Sequence, residues 1–174
     1  VYPQQHIHLV RATVVDLEKA FVAPAFVDSH VHVTATGLTR IGLDLRPATS
    51  LRHCLDLLTE YSRTHPDGPI WAHGWDESMW PQQQAPTTSD IAAAVGRGRE
   101  AYLVRVDAHS AAASTVLRQA AAVGPDSPLT GDSHHRVRRA ARDSLTVTQR
   151  AAARQAALDS AAAAGIVAVH ECAG

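Results

Sequence analysis

Short apolar segments that read as β-strands alternate along this chain with segments of helical periodicity, and this alternation restricts the possible folds most. Strands are expected at 25–32, 70–75, 101–106 and 166–171, where β-branched, aromatic and other apolar residues are concentrated. The stretch 101–106 is apolar except for Arg105, which is typical of a parallel strand covered on both faces. A strand–helix–strand order of this kind predicts an α/β protein with a parallel sheet.

The first of these strands ends in a His-x-His pair, His30 and His32. Side chains alternate between the two faces of a strand, so both imidazoles are expected on the same face. Neutral imidazole is a common ligand of Zn²⁺ and of related transition metals, and the pair could hold one ion together. The spacing alone is equally compatible with two exposed histidines on a surface strand.

The residues before this pair favour the metal-binding interpretation. The segment 24–32 reads PAFVDSHVH and resembles the first barrel strand of the amidohydrolase superfamily of metal-dependent hydrolases, which usually reads P-G-F-V-D-x-H-x-H. Ala25 stands where glycine is usual. The resemblance implies that His30 and His32 are ligands of a divalent metal, zinc in the first instance, with one or two ions in the complete enzyme.

Three further segments resemble one branch of that superfamily, which includes N-substituted formamide deformylases. They read GWD at 74–76, DAH at 107–109 and GIVAVHE at 165–171. The resemblance implies that their polar ends line a substrate pocket. The expected substrate contacts are Trp75, Asp76, Asp107, His109 and His170. Glu171 is expected to act indirectly, by anchoring a metal-binding histidine.

These substrate contacts have structural alternatives that the sequence leaves open. Trp75 could fill the core while Asp76 caps a turn. Asp107 and His109 could form a hydrogen-bonded pair within a loop. The resemblance, rather than the chemistry of the residues, favours the pocket.

The resemblance implies the N-terminal part of a (β/α)8 TIM-type barrel over residues 23–174, preceded at 1–22 by a piece of a small β-sandwich. His6-x-His8 in that piece is expected to be an exposed strand face. A complete barrel takes about 250 residues, so this chain is expected to be a truncated portion that stops after the third barrel strand. The family's remaining metal ligands and its general base lie on later strands, so the catalytic residue is unknown here. The edge after Val169 is expected to pair with another chain, another copy or missing sequence.

Composition excludes several classes of partner. The chain is 45% hydrophobic and 19% charged, with a formal net charge of −1, which gives no electrostatic reason to expect nucleic acid or an anionic membrane. No apolar run reaches the roughly 20 residues of a membrane helix, and no signal peptide is expected.

The two cysteines, Cys54 and Cys172, form neither a CxxC pair nor a disulfide framework, so a cytoplasmic location is the simplest expectation. Cys172 could be a ligand or a nucleophile, although a structural thiol is favoured.

The segment between the third and fourth predicted strands carries three further expectations. Residues 111–123 read as a helix, and Thr146 with Gln149 forms a capping-box pattern that begins another. Residues 125–145 are expected to be a loop-rich insertion that is locally basic. Its basic residues are His134, His135, Arg136, Arg138, Arg139 and Arg142. A phosphate or acidic partner is one interpretation of this segment, and a solvated surface is the favoured one.

The predicted function is metal-dependent hydrolysis of a non-peptide C–N bond in a small-molecule substrate, such as an amide or a formamide. The metal would lower the pKa of a bound water and polarise the carbonyl oxygen under attack. The alternative from another class is a non-catalytic α/β module, in which the histidines are remnants or a binding surface. A lyase or isomerase on the same scaffold is a third possibility, since fold does not determine chemistry.

Overall fold

The structure, a computed structural model of the 174-residue chain, describes residues 15–172. The strands are β1 (Phe26–Val31), β2 (Leu43–Asp44), β3 (Ile70–Trp75), β4 (Ala101–Arg105), β5 (Ser110–Ala113), β6 (Leu129–Thr130) and β7 (Ile166–Glu171). The helices are α1 (Val33–Ile41), α2 (Leu51–Thr64), α3 (Thr88–Val95), α4 (Thr115–Ala120), α5 (Gly131–Asp143) and α6 (Val147–Ala163), with a 3-10 helix at Glu77–Met79. None of these helices is both long and apolar enough to cross a lipid bilayer.

The strands form two separate sheets. β1 pairs in parallel with β7, whereas β2 to β6 follow one another in a second sheet whose first three strands are parallel and whose last two are antiparallel. The predicted α/β class with parallel strands is confirmed. Residues 15–172 form no closed barrel. The sequence predicts that the strand at 166–171 is the third barrel strand. That expectation is wrong because β7 lies directly beside β1.

A tight turn after β4 reverses the direction of the chain within the second sheet. Ala108 in this turn has a φ of 58°, and β5 then runs back antiparallel along β4. β4 is therefore paired on both sides, by β3 and β5, and has no free edge for β1. The alanine-rich segment 110–113, expected to begin a helix at 111, is this strand instead, because tertiary pairing overrides a local helix preference.

Residues 125–145, expected to be a loop-rich insertion, contain helix α5. Thr130 and Ser133 form its capping box, and Val137 and Ala141 are buried one turn apart. The basic residues make the segment polar overall but leave this narrow apolar stripe, which is sufficient for an amphipathic helix. The capping box predicted for α6 at Thr146 is confirmed.

Both faces of the five-stranded sheet are buried, because alternate residues of a strand point to opposite sides. On one side, Leu103 packs with Leu58 of α2 and Ile91 of α3. On the other side, Trp71 and Tyr102 pack with residues of α1, α4, α5 and α6. This sheet is therefore the central layer of a three-layer α/β/α core.

The two-stranded sheet is covered less completely. α6 contacts β7, and α1 packs along α6. Apolar side chains of the sheet nevertheless remain exposed, with Phe26 at 70% and Val167 at 72% of full exposure. Residues 15–25 form no strand, and residues 1–14, including His6-x-His8, lie outside the described residues. The β-sandwich piece at 1–22 therefore stays a prediction.

A buried hydrogen bond links the five-stranded sheet to α5. The hydroxyl of Tyr102 lies 2.6 Å from Nε2 of His134, and both side chains are almost fully buried. Burial lowers the pKa of His134 below its ordinary value, and the positive charge of Arg138 lowers this pKa further. The folded protein therefore holds this imidazole neutral in a pH range where an exposed histidine begins to take up a proton.

Acidification from about pH 7 to about pH 5 is expected to lower the free energy of unfolding through His134. Below about pH 6.5 the unfolded chain binds more protons than the folded one, so this stabilisation is complete above that pH and is lost as the pH falls. Chemical unfolding at several pH values should show a smaller pH dependence for His134→Gln than for the wild type. His135→Gln, which changes an exposed neighbour, should retain the wild-type dependence. Equal pH dependence in His134→Gln and the wild type would show that His134 does not cause the loss of stability at low pH.

Candidate metal centre

His30 and His32 lie where the chain passes from a strand into a helix. β1 ends at Val31, and His32 is the N-cap residue of α1. The two ring centroids are 5.4 Å apart with the ring planes nearly perpendicular, as expected for neighbours on one side of a strand. Both side chains are exposed. The pair is thus accessible at the carboxyl end of a parallel strand, the end at which α/β proteins build their sites.

Glu171 anchors the backbone next to His32 from the neighbouring strand. Glu171 is in register with Val31, and its Oε2 accepts a hydrogen bond of 2.8 Å from the N–H of Val33. Val33 is the first residue of α1, so the carboxylate also meets the partial positive charge of the helix N-terminus. Glu171 therefore holds the segment that carries His32 rather than the imidazole ring itself.

A thiol lies beside His30. Sγ of Cys172 is 3.3 Å from Nδ1 of His30, and the N–H of Cys172 donates to the carbonyl of Val31. This contact leaves Nε2 of His30 as the nitrogen available to another ligand. The sequence favours a purely structural role for Cys172, and the only sequence signal for the contact is its position two residues after His170.

The donor set at this end of β1 fits part of a zinc site. Imidazole and thiolate are donors that Zn²⁺ prefers, and a catalytic zinc commonly has three protein ligands. His30 and His32 supply two imidazoles. Within residues 15–172, no group of three or more His, Cys, Asp or Glu residues is arranged to hold an ion. The two histidines therefore fit a metal, but they need further ligands to complete its coordination.

The GWD motif lies in the other sheet and is built into its structure. Gly74 has a φ of 89°, at a register shift between β3 and β4, where glycine avoids the strain of a side chain. Trp75 is 3% exposed, and its indole N–H donates to the carbonyl of Leu103. Asp76 caps the 3-10 helix by accepting from the N–H of Ser78. These contacts match the structural alternative considered for Trp75 and Asp76.

Arg105 gathers three carboxylates where β4 ends. Its guanidinium forms salt bridges with Asp76 at 3.0 Å, with Glu77 at 2.8 Å and with Asp107 at 3.0 Å. Burial acts to raise the pKa of Asp107, but hydrogen bonds, including those from the N–H of His109 and from Arg105, outweigh it and lower this pKa to about 2. The cluster therefore joins the ends of β3 and β4 as a network of ionised, hydrogen-bonded groups.

The predicted site residues fall into two groups. Asp107 and His109 lie close enough to His134 for their charges to affect its pKa. Among the described residues, no hydrogen bond or ring contact joins either of them to the histidines of β1. One group, at the ends of β1 and β7, is His30, His32, His170 and Glu171. The other, at the ends of β3 and β4, is Trp75, Asp76, Asp107 and His109.

Comparison with known sequences gives a match that covers nearly all of this chain. The family model described as the amidohydrolase family matches residues 13–174. The Bacillus subtilis (strain 168) protein YtcJ, an amidohydrolase by name, is 29% identical over 115 residues, which is 66% of this chain and 22% of YtcJ. The chain therefore spans about a fifth of the length of this relative.

Two solved structures are similar to the fold described above. Both are uncharacterised metal-dependent hydrolases, one from Pyrococcus horikoshii OT3 with a TM-score of 0.70 and 22% identity, the other from Pyrococcus furiosus with a TM-score of 0.67 and 21% identity. Each similarity covers 86% of this chain but only 31% or 32% of the other chain. At this level of identity the likeness shows the fold, and this chain corresponds to under a third of each structure.

Proposed function

This chain belongs to the amidohydrolase family, and we propose that it carries the first two metal ligands of a hydrolase that cleaves non-peptide C–N bonds. The proposed substrates are small amides or formamides. The observation that supports this proposal is the His30–His32 pair, whose ring centroids lie 5.4 Å apart at the carboxyl end of β1. A chance pair of surface histidines would not require Glu171, on the adjacent strand, to hold the backbone directly after His32.

We assign His30 and His32 to a divalent metal, with zinc as the first choice because imidazole is among its preferred donors. A bound ion of this kind supplies a water of lowered pKa and polarises a carbonyl oxygen. The further ligands that such a site needs are proposed to lie outside residues 15–172. The relatives have room for them, since this chain spans 22% of YtcJ.

The other residues at this end of the sheet orient the pair and meet the substrate. Glu171 restricts the backbone that carries His32, and Cys172 occupies the Nδ1 side of His30. His170 is exposed at the end of β7, so we retain it as a substrate contact. Because Trp75, Asp76 and Asp107 are engaged in the second sheet, we assign them to structure.

The two-stranded sheet has an exposed apolar surface. Phe26, Val27 and Val167 are each more than half exposed, and exposed apolar patches commonly mark a surface that a further element covers. We propose that further barrel strands pair with β1 and β7 and bury this surface. Those strands would also bring the missing metal ligands to the carboxyl end of β1, because parallel strands end at one edge.

The zinc-loaded protein, in a form that includes the further metal ligands, is expected to release amine from a panel of N-formyl and N-acetyl amines, and a dipeptide should be a poor substrate. Chelation should abolish the activity and added zinc should restore it, because the ion supplies the activated water. Amine release can be followed by fluorescent derivatisation. His135→Ala, which changes an exposed histidine of α5, should leave the rate unchanged. Absence of hydrolysis across the panel by folded, zinc-loaded protein would contradict the proposal and favour the non-catalytic α/β module.

A further inference from the structure

A cavity of about 540 Å³ opens directly beside the proposed metal ligands. Its wall combines His32 and Glu171 with the first residues of α1 and with parts of α5 and α6. The volume is within the range of small-molecule sites, about 300–1,000 Å³. A molecule bound here would therefore lie in contact with one of the two histidines assigned to the metal.

Four arginines give this cavity a positive lining. They are Arg138 and Arg142 on α5 and Arg150 and Arg154 on α6. Residues four apart lie one helical turn apart on the same side of a helix, so each helix presents a pair. The acidic residues of the wall are Asp143 and Glu171, so the arginines outnumber the carboxylates. One oxygen of Glu171 already accepts the N–H of Val33.

Two of these arginines have a guanidinium group without a hydrogen-bond or salt-bridge partner among the described residues. Arg138 and Arg150 are half-buried, and the side chain of neither makes a salt bridge or hydrogen bond to another residue within 15–172. Arg105, by contrast, is bound by three carboxylates. A guanidinium partly withdrawn from water without a counter-ion is unfavourable unless a ligand supplies the charge. The two side chains therefore favour an anion in the cavity.

The other arginines of α5 behave differently. Arg136 and Arg139 are exposed and do not line this cavity. Helix α5 thus has two different sides. Arg136 and Arg139 lie in solvent, whereas Arg138 and Arg142 line the cavity beside His32. The two interpretations left open by the sequence, a solvated surface and an anionic ligand, apply to opposite faces of the same helix.

We propose that this cavity binds an anionic group of the substrate, a carboxylate or a phosphate, while the scissile C–N bond lies at His30 and His32. Guanidinium groups match both anions in geometry and charge. The position of the scissile bond rests on the proposed function, whereas anion binding in the cavity does not. The substrate class is accordingly an amide or formamide that carries a negative charge.

The experiment is calorimetric titration of the protein at low ionic strength with inorganic phosphate and, separately, with acetate. At least one anion is expected to bind saturably, with phosphate alone indicating a phosphorylated substrate and acetate alone a carboxylate. Arg138→Gln and Arg150→Gln, on different helices, should each raise the dissociation constant at least about tenfold, because each removes charge-assisted hydrogen bonds. Arg139→Gln is the matched control on α5 and should stay within about twofold, since an exposed charge interacts only weakly. Circular dichroism checks that each variant is folded.

Two results would overturn the inference. One is saturable binding of neither anion, and the other is an equal weakening by Arg139→Gln and Arg138→Gln, which would indicate a diffuse charge effect. A failure of the proposed function can be distinguished from a failure of the anion site. Anion binding without amide hydrolysis would retain the site and reject the hydrolase, whereas amide hydrolysis without saturable anion binding would retain the hydrolase and reject the site.

Discussion

Replacing Gly37 by alanine is expected to lower the free energy of unfolding by about 2–3 kcal/mol, the usual cost of overpacking a tight interior. Gly37 is buried in α1, and a Cβ built there would overlap the backbone carbonyl of Ala153 in α6. A backbone carbonyl cannot rotate away as a flexible side chain can, so the two helices must separate. The intrinsic preference of a helix for alanine over glycine, about 1 kcal/mol, acts in the opposite direction and is too small to compensate.

Gly98→Ala is the matched control for this experiment. A Cβ at Gly98 would have no atom within 4 Å, so a change within about 0.5 kcal/mol is expected. Urea unfolding followed by circular dichroism measures both variants. Gly37→Ala with wild-type stability would show that α1 and α6 are further apart than described, and would also undermine the position of His32 at the start of α1.

The local elements were predictable because their signals are local. The apolar segment before His30 predicts β1, and the pattern from Thr146 to Gln149 predicts the start of α6; both are present. The strand at 101–106 is apolar because both faces of its sheet are covered, and β4 is indeed buried between two helical layers. In each case the residues that decide the structure lie within one turn or one strand of each other.

The partition into two sheets was not predictable in the same way. Strand pairing depends on contacts between distant segments, and nothing in residues 26–31 or 166–171 alone specifies that these two strands are neighbours. The segment 110–113 shows the same effect, because its alanines favour a helix locally but pair along β4 in the fold. Helix α5 was missed for a different reason, since its many charged residues mask the short apolar stripe at Val137 and Ala141.

Which of the candidate site residues lie together was predictable only in part, for the same physical reason. Polar residues at strand ends were expected to converge, which holds only for strands of one sheet. The ends of β1 and β7 do meet, and Glu171 reaches Val33 beside His32. The ends of β3 and β4 meet each other instead, where Arg105 binds Asp76 and Asp107. The motifs therefore mark two different places in the fold.

The double variant His30→Ala/His32→Ala is expected to lose both metal and hydrolysis. Removing the ion withdraws several kcal/mol of transition-state stabilisation, so the rate should fall at least about 10³-fold. The fold should persist, because both imidazoles are exposed and neither fills the core. His135→Ala is the control for loss of a histidine at an exposed site away from β1.

Metal content tests the assignment of His30 and His32 most directly. The wild type, the double variant and His135→Ala are loaded with zinc, desalted and analysed for metal per chain by mass spectrometry. In a form of the protein that includes the further ligands, the wild type and His135→Ala are predicted to retain close to one or two ions per chain, as a complete site would, and the double variant to retain almost none. Equal metal in all three proteins, or none in the wild type, would contradict a metal centre at the carboxyl end of β1.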